Sequence, residues 1–540
     1  MSLKSATIKS HGAIAQLGER VAGSDEVRGS SPLSSTITFS AFRRTVMTDY
    51  FHPDRLQKLT DLQNSGADAY PATISVFGDL SRSMSVDLLA RADEIQNTEV
   101  CVAGRVLGRR GYGKLAFIDL HDGDGAIQVV LQKDLLPAED FALLKHLNLG
   151  DFIALRGEMK KTDKGQDSVY GSRFEILTKG LENPPDQHYG LADSELRARR
   201  RYVDLFTNQS VRENFKKRAA MIQAMRGVFL NHDFLEVETP VMHPIYGGAN
   251  AEPFTTVHNA LDMKLYMRIA PELYLKRLVV GGLERVFEFA RVFRNEGLSP
   301  RHNPEFTMVE FYQAYTDYCG MMTLTEELVV AAAAAADCDD VVTFRGNDYN
   351  LTAPFARIRY ADAFKEHLGF DATDREAVTA KLVEIKHDVP EGDGYAWWKA
   401  VNGLFEDYVE GKLHGPVFVY DYPAAICPLA KPLAEDPTWA GRFEFFLGGM
   451  ELANAFSELN DPQLQLQKFE EQVADADPES PNAVDYDYVR ALAYGLPPTG
   501  GCGIGVDRLM MVLLGQDTIR DVLLFPQLRA EEGLQGSSED

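Results

Sequence analysis

The chain has 540 residues and a net charge of −25, from 55 Lys and Arg against 80 Asp and Glu. That length exceeds what one hydrophobic core organises, so two or more domains are expected. The acidity excludes a general nucleic-acid coat, whose surface must attract phosphate, and the longest apolar run, around Leu328 to Ala336, is too short to span a bilayer, so no membrane partner is expected.

The five cysteines, Cys101, Cys319, Cys338, Cys427 and Cys502, have no CxxC spacing. They suggest neither a zinc site nor a disulfide framework, and a reducing, cytoplasmic setting is expected. A nucleic-acid partner would need local basic patches. The candidates include Arg197, Arg199, Arg200 and Arg201, and also Lys216, Lys217 and Arg218, although each alone is more often a solvated face.

Residues 1–46 carry no apolar core of the signal-peptide kind. Their run GAIAQLGERVAGSDEVRGSSPLSSTI reads like a tRNA gene translated as protein, so this extension is expected to be spurious or disordered, with Met47 the natural first residue. Residues 47–98 form a helical segment, in which Leu56, Leu59 and Leu62 mark one face of a short helix from Pro53 to Ser65. Between 99 and 182 the period changes to two, in VCVAGRVLGRR, KLAFIDLHD, GAIQVVLQ, DFIALRGEMK and RFEILTK. Five such strands fit a closed barrel of the OB type, which either binds single-stranded nucleic acid or only packs. A basic linker, 183–210, contains RARRRYVDL, whose arginines are expected to meet phosphate. Residues 211–531 form a larger domain, and 532–540 an acidic tail.

The larger domain opens on a helix from Asn214 to Asn231, with Phe215, Ala219, Ile222, Met225, Val228 and Phe229 on one side, followed by FLEVETPVM. Gly247 and Gly248 let backbone approach a ligand. The central stretch is Arg291 to Tyr315, RVFRNEGLSPRHNPEFTMVEFYQAY. Read as two strands joined by a loop, it aligns Val292, Arg294 and Glu296 of the first and Phe306, Met308, Glu310 and Tyr312 of the second on one face of the pair. A guanidinium fork suits phosphate, a ring face suits a purine, and a carboxylate beside a phenol suits an ammonium, which together describe a site for ATP and an amine. The same residues also describe a charged sheet edge with solvated ion pairs.

Residues 318–440 read as scaffold, with an alanine-rich helix and an apolar strand in PVFVYDYPAAICPLAK. In GRFEFFLGGMELANAFSELND, a strand from Glu451 to Leu459 puts Asn454, Phe456 and Glu458 on one face. Glu444 and Glu451 bracket a glycine turn and are candidates to meet at one Mg2+, a cation that prefers hard oxygens. Last, GLPPTGGCGIGVDRLMMVLL places Gly500, Gly501, Gly503 and Gly505 before a helix that Arg508 opens.

FRNEGLSPRHNPEFTMVEFY resembles motif 2 of the class II aminoacyl-tRNA synthetases, in the form found in the lysyl enzymes of subclass IIb. GIGVDR resembles motif 3 and the 214–240 unit resembles motif 1. The resemblance runs from about Met47 to about Arg529. It implies an α+β protein: an N-terminal OB-fold β-barrel, then a class II catalytic domain built on an antiparallel sheet flanked by helices. It also implies a homodimer. Lysine would be activated by ATP to an adenylate, with Mg2+, and passed to the tRNA for lysine. On this pattern Arg294 and Arg508 are catalytic and bind ATP with Glu296, His302 and Phe306. Lysine binding falls to Gly248, Glu272, Glu310, Tyr312, Asn454, Phe456 and Glu458, and metal to Glu444 and Glu451. Phe117 and Gln128 match anticodon-contacting positions. Where lysyl enzymes usually have a glutamate, this chain has Arg173, with Glu175 two residues later.

Three other readings are open. They are a sister enzyme for aspartate or asparagine, an enzyme that attaches lysine to a protein, and an inactive tRNA-binding paralogue. The first would need a cation or neutral donor in the amino-acid pocket, the second lacks a barrel, and the third would have lost Arg294, Arg508 or the acidic pair. The intact mass of the native protein is expected to correspond to a start at Met47; a mass counted from Met1 overturns that reading.

Overall fold

The computed structural model describes residues 51–111, 113–185, 190–338, 340–475 and 481–529. The expected extension at 1–46 and tail at 532–540 lie outside them. The chain divides into two units, one ending at Pro185 and one beginning at Asp186.

The first unit starts with helix α1 (Pro53–Asn64), where Pro53 supplies a preset φ at the N-terminus and Gly66, at φ +84°, stands just past the end. Strands β1 (Glu99–Arg110), β2 (Leu115–His121), β3 (Ala126–Gln132), β4 (Phe152–Lys161) and β5 (Asp167–Thr178) close into a barrel of order β1-β2-β3-β5-β4. All five strands were legible from the period-two pattern, because Ala116, Ile118 and Leu120 point inward while Leu115, Phe117 and Asp119 point out. The last strand starts earlier than RFEILTK suggested, at Asp167. The barrel is pinned by a buried cation: the Lys179 ammonium donates to the Asp151 carboxylate, to His146 O at 2.6 Å and to Asn148 Oδ1 at 2.9 Å. Arg55 ties α1 to the same corner through Leu149 O at 2.7 Å and Gly180 O at 2.9 Å.

The second unit contains α2 (Gln209–Asn231), β6 (Leu235–Glu236), β7 (Met242–His243), β8 (Thr255–His258), β9 (Met263–Met267), α3 (Glu272–Val280), β10 (Arg285–Phe293), β11 (Glu305–Ala314) and α4 (Tyr318–Ala335). These are followed by β12 (Val341–Phe344), β13 (Asn347–Asn350), β14 (Ala356–Arg359), α5 (Tyr395–Tyr408), β15 (Val417–Pro423), β16 (Trp439–Leu447), β17 (Met450–Ser457), α6 (Tyr486–Ala493), β18 (Thr499–Gly505) and α7 (Val506–Leu513). Its main sheet has eight strands in the order β14-β15-β16-β17-β18-β11-β10-β6. The pairs from β15 to β10 are antiparallel, as expected, whereas both outermost pairs, β14 with β15 and β10 with β6, are parallel. Each parallel pair is separated in sequence by a long crossover that includes helix, which is what parallel pairing requires.

One face of this sheet is a packed core. Phe229 of α2 stacks on Phe287 of β10 at 4.4 Å and contacts Phe311 of β11 at 5.0 Å, with Leu328 of α4 and Leu509 of α7 in the same cluster. The buried stripe of α2 is Met221, Met225 and Phe229, with Ile222 and Val228 beside it; Ala219 is exposed, so the expected stripe was drawn too wide. Two arginines of the candidate basic patches are paired within the fold. Arg201, 1% exposed, bonds Asp204 at 2.7 Å and the carbonyls of Arg520 and Leu524, and half-buried Arg218 pairs with Asp507 at 2.6 Å. Such cations are consumed by their partners.

Lys179→Met leaves the Asp151 carboxylate buried without its cation and is expected to cost about 3–5 kcal/mol of barrel stability. Hydrogen exchange of the full chain checks it: amides of β1–β5 should exchange faster while those of α4 keep their protection, and unchanged barrel protection contradicts the assignment.

Candidate active site

On β11, alternation assigns sides. Val309 and Phe311 face the core, while Phe306, Met308, Glu310 and Tyr312 line a cavity of about 490 Å3 on the other face. Across the β11–β18 ladder Tyr312 is opposite Gly501 and Glu310 opposite Gly503, and across β17–β18 Phe456 is opposite Gly501 and Asn454 opposite Gly503. Two glycines therefore make a trough walled by side chains from both neighbouring strands. A Cβ on Gly501 would lie 2.2 Å from Glu458 Oε1 and 2.3 Å from the Tyr312 ring. The missing side chain at Gly501 thus admits Tyr312 and Glu458.

β10 ends at Phe293, so Arg294 and Glu296 reach the cavity from the start of the loop, anchored by Arg294 N donating to Pro304 O at 2.9 Å. The Arg294 guanidinium lies over the Phe306 ring at 5.2 Å, and its buried Nε has no hydrogen-bond partner among the described residues. A buried, unpaired guanidinium nitrogen beside an aromatic plate fits an anionic, ring-bearing ligand. Arg508, at the start of α7, donates to Glu451 O at 3.0 Å and approaches His302 Nε2 at 2.8 Å, while Ser299 Oγ lies 2.8 Å from His302 Nδ1. Burial, then Arg508, Arg301 and Arg294, hold the His302 pKa below its ordinary value, so the ring is neutral at pH 7 and Nε2 accepts from Arg508.

The cavity floor is acidic. Tyr312 OH donates to Glu310 Oε2 at 3.0 Å, and burial, then Glu272, push the Glu310 pKa well above the carboxylate range. Gly248, at φ +87°, packs against Glu272, whose Cβ would be 3.0 Å from a Cβ on Gly248. Asn454 lines the cavity with a buried Oδ1 that lacks a partner among the described residues, and Phe456 is its neighbour on the wall.

Glu458 and Glu444 do not line the cavity. β17 ends at Ser457; Glu458 bridges to Ala430, its Oε1 lies on the trough side of Gly501, and its carboxylate contacts the Lys276 ammonium. Glu444 accepts from Tyr422 OH at 2.7 Å and from Arg442 Nη2, and burial raises its pKa to about 7, with Glu451 adding to the rise. Glu451 lines the cavity beside Arg508. Among the described residues no three His, Cys, Asp or Glu side chains converge as a metal cage. Two carboxylates in mutual electrostatic reach fit a cation that keeps most of its water and takes further oxygens from phosphate. The sequence reading missed Arg442 and Lys276. Their signals were spacing: Arg442 shares a strand face with Glu444, and Lys276 stands one helical turn after Glu272.

In the barrel, Phe117 and Gln128 come together on one outer face, since Asp119 is opposite Gln128 in the β2–β3 ladder. Gln128 is 7% exposed and accepts from Ser168 Oγ at 3.0 Å; Phe117 is half-buried. Glu175, two residues after Arg173, accepts from Ser75 N at 2.8 Å and Ser75 Oγ at 2.6 Å. Arg173 is exposed and pairs with Asp140 at 2.9 Å.

An eight-stranded sheet whose glycine trough joins an arginine cradle to an acidic floor is matched at family level. Residues 193–529 match the model of class II tRNA synthetases (D, K and N), and residues 100–177 match the OB-fold nucleic acid binding domain. The chain belongs to the class II tRNA synthetases. Its relatives include the lysine–tRNA ligase of Moorella thermoacetica, 46% identical over 487 residues, which covers 88% of this chain and 97% of the relative. The lysine–tRNA ligase of Carboxydothermus hydrogenoformans is 45% identical over 483 residues, 88% and 98% of the two chains, and that of Aromatoleum aromaticum is 48% identical over 439 residues, 80% and 87%.

Gly501→Ala is expected to displace Tyr312 and Glu458 and to lower amino-acid-dependent ATP–pyrophosphate exchange about 100-fold, the scale of an ångström misplacement. Gly503→Ala, whose Cβ meets the flexible Met308 Cε at 3.0 Å, is expected to be milder. Equal, small losses in both would contradict the trough.

Proposed function

We propose that the chain is a lysine–tRNA ligase, which activates lysine with ATP and transfers it to the 3′ end of the tRNA for lysine. The observation that carries this reading is the juxtaposition, in one cavity, of Glu310, Tyr312 and Glu272 with Arg294 and Arg508. Anionic groups at one end receive ammonium groups, and cationic groups at the other receive phosphates. The lysine-ligase relatives support it over most of their lengths. An acidic substrate side chain would meet carboxylates here and be rejected by several kcal/mol, since an uncompensated buried charge costs that much.

In the first step an oxygen of the lysine carboxylate attacks the α-phosphorus, the bond to the β-phosphate bridging oxygen breaks, and pyrophosphate leaves with the electron pair. The nucleophile is already an anion, so positioning and charge stabilisation supply the catalysis. Arg294 takes the α-phosphate and Arg508 the outer phosphates, oriented by neutral His302. Phe306 stacks on the base, with Glu296 completing the nucleotide contacts. Glu272 and Gly248 receive the α-ammonium, Glu310 and Tyr312 the side-chain ammonium, with Asn454 and Phe456 on the wall and Glu458 in the layer beneath. Glu444 and Glu451 would hold Mg2+, which, when bound, neutralises phosphate charge. In the second step a hydroxyl of the terminal adenosine attacks the adenylate carbonyl and AMP departs.

Phe117 and Gln128 are assigned to the anticodon, with the Arg173–Asp140 pair in place of the usual glutamate. A second copy of the chain is the proposed partner at β6, β7 and β8, where Leu235, Met242 and Val257 are each more than half exposed, which is what an isologous apolar interface needs. Cytoplasmic placement is part of the same reading; among the described residues no helix is long and apolar enough to cross a membrane.

Amino-acid-dependent ATP–pyrophosphate exchange with magnesium tests the reading, across lysine, aspartate and asparagine. Exchange with lysine alone is expected. Exchange with none of them, in folded protein, moves the reading to a tRNA-binding paralogue, and exchange with aspartate or asparagine moves it to a sister enzyme.

A further inference from the structure

Beneath the acidic floor lies an ammonium that belongs to the protein. Lys276, on α3, is 0% exposed. Its Nζ is 2.6 Å from Glu272 Oε1, one turn back on the same helix, and contacts Glu458 Oε2 at the end of β17. The Tyr488 ring of α6 covers it, with Nζ 5.9 Å from the centroid. Neither Lys276 nor Glu458 reaches the cavity wall, whereas Glu272 does. The lysine therefore joins a cavity carboxylate to a carboxylate behind the wall, across two elements that share no backbone ladder.

We propose that Lys276 is a positioning residue that fixes Glu272 and Glu458 and sets the net charge of the amino-acid pocket to match a substrate carrying two ammonium groups. The inference rests on the lysine-ligase reading. Glu272, Glu310 and Glu458 bring three carboxylates, and Lys276 cancels one. Glu288, opposite Glu310 in the β10–β11 ladder, does not enter, because Arg268 neutralises it at 2.6 Å. Two negative charges are left when all three glutamates ionise, and lysine supplies an α-ammonium and a side-chain ammonium to meet them, its carboxylate lying toward Arg294.

The groups facing Lys276 are Glu272 on its own helix, Glu458 after β17, Glu310 on β11 and Tyr488 on α6, with Tyr312 beside the same carboxylates. Despite burial, the carboxylates hold Lys276 charged, while burial pushes Glu458 up to about 8 even beside that cation. Losing the cation would raise the carboxyls further, so ionising them would need a higher pH, and Glu272 would lose the contact that fixes it. Because ammonium binding needs ionised carboxylates, the affinity for lysine is lost as pH falls through these raised values and is regained above them.

The test is Lys276→Met in the full-length protein, a substitution of similar length without charge, assayed by exchange from pH 6 to 9. The KM for lysine is expected to rise about 10-fold or more, the scale of one lost charge-assisted contact. The KM for ATP should stay within about twofold, and the acid limb of kcat/KM for lysine should move up by about one pH unit. Adding Glu458→Gln, which removes the stranded carboxyl, should return the acid limb toward its original position. An unchanged lysine KM and pH profile overturns the proposal, as does a parallel rise in both KM values, which is the mark of a merely structural role. Should the variant not fold, calorimetry of lysine binding to the unsubstituted protein in buffers of different ionisation enthalpy decides: release of about one proton near pH 7 is expected, and none overturns it. Absence of lysine-dependent exchange in the unsubstituted protein removes the ligase reading itself, whereas exchange there with an unchanged variant overturns this inference alone.

Discussion

The catalytic unit depends on one constraint: where a strand in the middle of the sheet floors the cavity, it must carry no side chains. β18 meets it with Gly501 and Gly503, between the side chains of β11 and β17. On the opposite face of the same stretch, Cys502 and Ile504 are buried in the core with Phe311 and Val309. A sheet that is solid on one side and hollow on the other needs alternating residue size, and glycine is the limit of that alternation. Any side chain at 501 would contact Glu458 and Tyr312 before it met a ligand.

Charge is arranged along the same trough. Cations stand at the loop and helix end, Arg294 and Arg508, and carboxylates stand at the strand end, Glu310 and Glu272. The separation matters because ATP and a cationic amino acid carry opposite charge at the ends that stay apart, and because their reacting atoms meet between them. Each end is also shielded from the other by internal pairing. Asp507, beside Arg508, is spent on Arg218 and on Thr307 N at 2.7 Å, so it does not cancel the phosphate cradle. Arg268 is spent on Glu288 and does not cancel the floor.

What the sequence made legible was whatever depends on period. Phe306, Met308, Glu310 and Tyr312 fall on one face because nothing but strand geometry decides it, and the five barrel strands follow from the same alternation. The alternation carries a residue past the strand ends as well: Arg294 reaches the cavity that Phe306 lines, and the Glu458 carboxylate stands on the trough side of Gly501. What it hid were partners that arrive from elsewhere in the chain. Half of the Lys276 environment is on α3, but Glu458 arrives from 182 residues further along the chain, and no local pattern reports that. Arg201 was misread because four arginines in five residues look like a phosphate patch until one of them proves to be a core staple.

Those failures share a physical origin that bears on how such a pocket recognises its substrate. A buried ion is affordable only where several elements converge to pair it, so the residues that decide the pocket's charge are the ones least visible to local reading. Counting carboxylates along the sequence gives the sign of the pocket, but not its magnitude. The magnitude depends on which carboxylates the protein has already answered with its own cations: Glu288 by Arg268, Glu444 by Arg442, and one of the three floor glutamates by Lys276. Selectivity for a cationic amino acid thus comes from the remainder. A remainder of one would suit a neutral amino acid through its α-ammonium alone, and a remainder of two requires a second positive charge at the distance set by Glu310 and Glu272.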